Sequence, residues 1–172
     1  MATLHSFYLP PDLWRLPFRL EGAEAHHLSR VLRLKAGATV RLFDGRGRHG
    51  LFTVESVSKA GVSLEAQSED FSPPPGAAGT LAAGFSKALR RGWFLEKAVE
   101  LEASALWFWE GDYSQASLPD KEKDSWKAAL IAGAKHGEAA WLPALNIIRD
   151  GLNGLVSRPA SLCLVFVLVS GH

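Results

Sequence analysis

The residues best suited to chemistry are basic. Between Arg15 and Arg48 the chain carries eight Lys or Arg side chains, Arg15, Arg19, Arg30, Arg33, Lys35, Arg41, Arg46 and Arg48, against three acids, Glu21, Glu24 and Asp44. His26, His27 and His49 lie in or beside the same stretch. Such a local excess attracts phosphate-rich partners and gains from counterion release on binding them. Read more plainly, it is a solvated face with a few salt bridges. Arg46 and Arg48 alternate with Gly45 and Gly47 after Asp44, which predicts a turn whose tip presents both arginines outward. The Asp-Gly pair also makes a turn for its own sake. Further along, Lys87, Arg90 and Arg91 open a helix that follows a strand. Ligands of an open α/β sheet sit at such junctions, and cations there oppose the helix dipole, so a phosphate contact is the sharper reading.

Other chemistries find less support. Adjacent His26 and His27 project about 100° apart on a helix and cannot share a metal as an i, i+4 pair does. No other His, Asp or Glu grouping has metal-ligand spacing, and Cys163 is the single cysteine, so no metal site is expected. Gly45-Arg46-Gly47 is too short for a phosphate-cradling loop and opens no helix. Trp107-Phe108-Trp109 fits core better than a stacking platform.

The elements that must position these residues fall on either side of a seam, Ser72-Pro73-Pro74-Pro75-Gly76-Ala77-Ala78-Gly79. Before it, short runs alternate with turn signals: Phe7–Leu9, Phe18–Leu20, Thr39–Phe43, Leu51–Val57 and Val62–Ala66. One helix is expected over Ala23–Leu34, with Leu28, Val31, Leu32 and Leu34 inward and Gly37 after its end. Five strands and one helix predict a small barrel. After the seam, strands are expected at Thr80–Phe85, Ala105–Trp109, Leu145–Ile148 and Leu162–Val169. Helices are expected at Ala88–Ala103, with Trp93, Leu95, Ala98, Val99 and Leu101 inward, at Pro119–His136, and near Gly151–Val156. Alternating strands and helices imply a parallel α/β layer. The domains are thus expected at 1–70 and 80–172, joined by a linker over 71–79.

The 172 residues are 47% hydrophobic and 22% charged with a formal charge of +1, which excludes a disordered chain. The longest apolar run, Leu162–Val169, is short of a membrane span, no signal-peptide pattern is visible, and a lone cysteine fits a reducing compartment.

The run Ala25-His26-His27-Leu28-Ser29-Arg30-Val31-Leu32-Arg33-Leu34-Lys35-Ala36-Gly37, followed by Leu42-Phe43-Asp44-Gly45-Arg46-Gly47, resembles the N-terminal domain of the bacterial ribosomal RNA small subunit methyltransferase E family. Phe7-Tyr8-Leu9 and the Lys59-Ala60-Gly61-Val62 turn fit it too. The resemblance covers residues 5–66 closely and continues more loosely to about Pro143. It implies an α+β chain: a PUA-like β-barrel followed by a SPOUT-type trefoil-knot α/β domain. It also implies methylation of uridine N3 in 16S rRNA with S-adenosylmethionine, 16S rRNA or the small ribosomal subunit as partner, a cytoplasmic homodimer, and no membrane. RNA contacts are expected at Arg30, Arg33, Arg46, Arg48, Lys87 and Arg90. No catalytic base is identifiable.

The match is looser in the second half. Against the family's Lys-Gly-Asp-Arg-Met-Glu, Lys87 and Arg90 agree, while Ala88, Leu89, Arg91 and Gly92 do not. In the helix motif, Lys97, Ala98, Glu100 and Leu101 agree, and Glu96, Val99, Glu102 and Ala103 depart. Tyr113 replaces the arginine of a Ser-Glu-Arg-Ser motif. His136 and Ala139 replace the Gln and Arg of a later motif whose proline, Pro143, is kept. The family's Gly-Pro-Glu-Gly-Gly and Leu-Arg-x-Glu-Thr-Ala segments, which form the knot and hold the cofactor, follow the position of His172. The resemblance therefore implies an incomplete SPOUT part with no cofactor residue in these 172. Two further readings stay open: an RNA-binding relative without catalysis, and an α/β protein-interaction module.

Overall fold

The computed structural model describes residues 4–76, 79–85, 88–111 and 117–157. The expected strand over Leu162–Val169 and the family-motif position Tyr113 lie outside them.

Alternating apolar residues build the first sheet. It comprises β1 (His5–Tyr8), β2 (Phe18–Leu20), β3 (Thr39–Phe43), β4 (Arg48–Ser58) and β5 (Gly61–Phe71), in the order β1-β3-β4-β5-β2. β1 runs parallel to β3 and the other pairs are antiparallel. Phe52 and Val54 on β4 face inward with Val62 and Leu64 on β5, while Leu51 and Glu55 face out. Two register shifts in the β4–β5 pair, between Leu51 and Phe52 and between Val54 and Ser56, curl the sheet around this core. Trp14 and Phe18 set their rings edge-on to Phe52 at 5.7 and 5.0 Å. The fully buried Phe52 stabilises the fold by roughly 1.5–3 kcal/mol through its own burial. This curled half-barrel, with β1 and β2 at its edges, answers to the PUA-like β-barrel that the family resemblance implies.

β4 and β5 are longer than their alternating cores. β5 takes in Phe71, so the paired strand runs up to Ser72. The expected helix over Ala23–Leu34 is also reshaped. α1 (Gly22–His26) passes into a π-helical turn over His27–Val31. Leu32 N–H bonds His27 O, Leu34 N–H bonds Leu28 O, and Arg33 takes φ 54° in the left-handed region. The wider turn rotates Val31 out to 58% exposure, while Leu28 stays buried. Arg33 ends the helix, and Gly37 instead serves the turn into β3.

The second sheet is parallel: β6 (Thr80–Gly84), β7 (Ala105–Trp109) and β8 (Ala144–Ile148) in sequence order. Its helices are α2 (Ala88–Glu100), α3 (Asp124–Gly137) and the short α4 (Gly151–Val156). α3 begins at Asp124, later than the expected Pro119. Leu118 N–H bonds the Glu110 carboxylate, and Arg149 pairs with Asp120 at 3.1 Å. α2 and α3 approach closely at Gly133, where a Cβ would lie 2.8 Å from Glu96 O. On α2, Leu95, Ala98 and Val99 are buried in the core and Phe94 packs against it, whereas Trp93 is exposed, as is Leu101 just past the helix end. At about 100° per residue those two lie off the buried arc, so the expected stripe was too broad.

The second core gathers Phe85, Leu106, Phe108, Trp126, Leu130 and Ala134, and also Tyr8 and Phe43 from the first sheet. Phe108 and Trp126 pack with ring centroids 5.0 Å apart and planes tilted by 59°. The two sheets therefore share a hydrophobic cluster across the seam.

Candidate nucleic-acid interface at the junction

The turn after β3 is built on one buried carboxylate. Asp44, 2% exposed, accepts the main-chain N–H of Arg46 at 2.6 Å and of Arg48 at 3.0 Å through Oδ1. Aspartate favours this bonding because its short side chain reaches the amides just ahead of it. Gly45 and Gly47 take φ 75° and 99°, where a side chain would be strained. The turn is not a free tip. Gly47 donates to Ala140 O, Leu142 donates to Gly45 O, and Trp141 bridges to Gly45 and Arg46. The Arg46 and Arg48 backbones are thereby fixed against the second half of the molecule while both side chains stay exposed. That arrangement presents two cations to solvent from a backbone that is already ordered.

Arg30 and Arg33 are exposed at the far end of α1 and its π turn. The chain that follows them pairs back at Gly37 N–H to Val54 O, near the start of β3. Arg46 and Arg48 follow the other end of that strand. Arg46 and Arg48 therefore share the turn after β3, whereas Arg30 and Arg33 lie on the chain that leads into the strand's opposite end. Lys87 lies outside the described residues. Arg90 stands on the first turn of α2, and its side chain is not among those described. Arg91 lays its guanidinium over the rings of Phe85 at 4.4 Å and Trp126 at 5.4 Å, and burial lowers its pKa.

Arg41 departs from the basic surface that composition predicts. It is buried, donates to Glu138 O at 2.8 Å at the end of α3, and lies 5.5 Å over the Phe43 ring. Burial pulls its pKa below the ordinary guanidinium value, against the opposing charge of Glu138. Its second terminal nitrogen has no hydrogen-bond partner. Arg19 is likewise engaged, with Ala60 O at 2.8 Å and Glu21 at 3.3 Å. Neither counts as a free contact for a ligand.

His26 and His27 are both exposed, with the His27 ring edge-on to Phe7 at 6.0 Å. His49 meets Ser72 Oγ through Nε2 at 3.1 Å. Desolvation first, then the neighbouring Arg41, lowers its pKa, and Asp70 and Asp44 oppose them. Trp141 was missed in the sequence: its indole N–H bonds Ser72 O at 2.8 Å and its ring meets Phe71 at 6.1 Å. A single Trp after a helix carries no periodic signal, so only the packing reveals it. Among the described residues no group of three or more His, Cys, Asp or Glu gathers to hold a metal, and no helix is long and apolar enough to cross a membrane.

The family profile of the RNA methyltransferase PUA domain matches residues 20–67, and that of the RNA methyltransferase domain matches residues 74–169. A ribosomal RNA small subunit methyltransferase E of Mycobacterium bovis is 25% identical over 144 residues, covering 81% of this chain and 52% of its own length. The chain thus spans about half the length of the curated relatives it matches. A structure from Porphyromonas gingivalis, described as a probable rRNA-methyltransferase, is 27% identical with a TM-score of 0.75, over 91% of this chain and 65% of that one. A ribosomal RNA small subunit methyltransferase E from Neisseria gonorrhoeae bound to S-adenosyl methionine shares the fold at 23% identity and a TM-score of 0.75, over 92% and 67% of the two chains. With both profiles in order along one sequence, and the second spanning more than half of it, the chain belongs to the RNA methyltransferase family in which a PUA domain precedes a SPOUT-type methyltransferase domain.

Proposed function

We propose that this chain binds 16S rRNA or the small ribosomal subunit as part of an enzyme that methylates uridine N3. The relatives named ribosomal RNA small subunit methyltransferase E support the substrate. One observation carries the rest: the Asp44 turn clamps the two halves together while leaving Arg46 and Arg48 in solvent. RNA held there is held in register with the methyltransferase domain. Arg30 and Arg33 extend the phosphate contacts along the half-barrel, and Lys87 and Arg90 supply them at the start of α2. The target base must leave its stack for its N3 edge to be reached. Domains at 1–70 and 80–172 about a 71–79 linker suit this division of labour, and family resemblance makes the enzyme a cytoplasmic homodimer.

S-adenosylmethionine is the methyl donor this reading requires, and the cleft beside the start of β6 does not suit it. The cleft lined by Pro75, Gly79, Leu81, Leu101, Glu102 and Ala103 is about 160 Å3. It sits at the amino ends of β6 and β7, whereas a parallel sheet takes ligands at its carboxyl ends. No described residue is assigned to the cofactor or to proton removal.

The test is transfer of labelled methyl from S-adenosylmethionine to unmodified small ribosomal subunits, followed by digestion to nucleosides. Label in N3-methyluridine supports the proposal. Salt-sensitive RNA binding without transfer replaces it with an RNA-binding relative lacking catalysis. Absence of RNA binding leaves the protein-interaction module.

A further inference from the structure

Phe71 closes β5 with 62% of its surface exposed, although it stands beside the junction. Its ring meets Trp141 at 6.1 Å and 82°, so the two form a corner. Trp141 is pinned by its indole bond to Ser72 O and limits the rotations open to Phe71. Gly47 makes room for both rings: a Cβ there would lie 2.9 Å from each and 2.6 Å from Ser72 O. Arg48 stands directly opposite Phe71 in the β4–β5 ladder, so their side chains leave the same face. Arg46 bridges to Trp141 through its backbone, and both arginines are exposed.

An exposed aromatic face, backed by a second ring and flanked by two cations, matches one ligand shape. That shape is a planar aromatic group carrying an adjacent negative charge. Resting on the RNA-binding reading above, we infer that Phe71 and Trp141 form a stacking platform for one unpaired nucleobase of the bound RNA, with Arg46 and Arg48 on its flanking phosphates. Aromatic side chains recognise splayed-out bases in this way, and every base has a face to offer. The base held here is not the one modified. Trp141 precedes β8, at the amino ends of the parallel strands, whereas Gly84, Trp109 and Ile148 mark the opposite, ligand-binding ends. The platform therefore anchors a neighbouring nucleotide and sets which stretch of RNA reaches the methyltransferase domain. It demands single-stranded RNA, because a paired base offers no free face.

The test uses the whole 172-residue chain and a short fluorescein-labelled RNA of mixed sequence. The RNA is presented single-stranded, as a duplex, and as an abasic strand of equal length. Anisotropy titrations run between about 50 and 200 mM salt. Phe71→Leu should weaken single-strand binding at least about fivefold with the salt slope unchanged, since no phosphate contact is lost. Phe71→Tyr should restore most of it, and wild type and Phe71→Leu should bind the abasic strand equally. Equal affinity of wild type and Phe71→Leu for the normal single strand would overturn the platform and leave the RNA reading intact. Failure of wild type to bind any RNA would overturn both. Loss of self-association by Phe71→Leu in sedimentation, with RNA affinity unchanged, would reassign the ring to a protein contact.

Discussion

Lys135 on α3 donates to both carboxylate oxygens of Glu24 on α1, at 2.6 and 2.9 Å, and the same carboxylate accepts the main-chain N–H of Tyr8 at 3.0 Å. One acid thus ties a helix and an edge strand of the half-barrel to a helix of the second domain. Both side chains are about three-quarters shielded, at 23% and 22% exposure, which reduces solvent screening. Lys135 also lies 5.7 Å over the Phe7 ring.

Removing Glu24 should cost more than removing Lys135. Glu24→Ala leaves both Lys135 and the Tyr8 amide without their acceptor, and the expected loss is about 2–3 kcal/mol. Lys135→Met keeps the amide bond and should cost about 1 kcal/mol. Urea denaturation of both variants and the double variant gives the coupling. Equal losses for the two single variants would show that the Tyr8 bond adds nothing.

The arginines should divide by location. Arg48→Ala and Arg46→Ala should each lower the salt slope of RNA binding by about 0.7–1 with little change in melting temperature. Arg41→Met should do the reverse. It strips the capping bond from Glu138 O and should cost about 1–3 kcal/mol, leaving the salt slope unaltered. A changed slope in Arg41→Met would place that residue on the RNA.

His49 should make the fold acid-sensitive. Its pKa is lowered in the folded chain, chiefly by desolvation and then by Arg41. The unfolded chain therefore takes up its proton first as pH falls. The stability is fully present above the unfolded value near 6.5 and is lost as pH drops through the lower folded value. His49→Gln should flatten the melting temperature across that window relative to wild type. Parallel curves for the two proteins would assign the acid sensitivity to another group.

Glycine substitutions should separate close packing from open space. Gly47→Ala places a methyl 2.6 Å from Ser72 O at φ 99° and should cost at least about 2 kcal/mol. Gly133→Ala, with its methyl 2.8 Å from Glu96 O, should force α2 and α3 apart and also destabilise. Gly92→Ala, in α2 with nothing within 4 Å, should stabilise by about 0.5–1 kcal/mol. Thermal melts rank the three; a neutral Gly47→Ala would show that the turn can part from Ser72.

Local periodicity determined much of this protein. Alternation placed Phe52, Val54, Val62 and Leu64 in one core, and the apolar run at Leu106 and Phe108 made a parallel strand. Asp44-Gly45-Arg46-Gly47 announced a turn because only short-range bonds and backbone freedom are needed to form one. Motif order along the chain carried the family. Tertiary structure decided what no period encodes. Arg41 and Arg48 have the same side chain and sit seven residues apart in one basic window, yet one caps α3 inside the junction and the other meets solvent. Their difference arises from what packs on β3 from far along the sequence, at Glu138 to Leu142. Glu24 with Lys135, and Phe71 with Trp141, are pairs of the same kind. Each is joined by long-range packing across the seam, and a one-dimensional pattern holds no record of which distant residues the folded chain brings together.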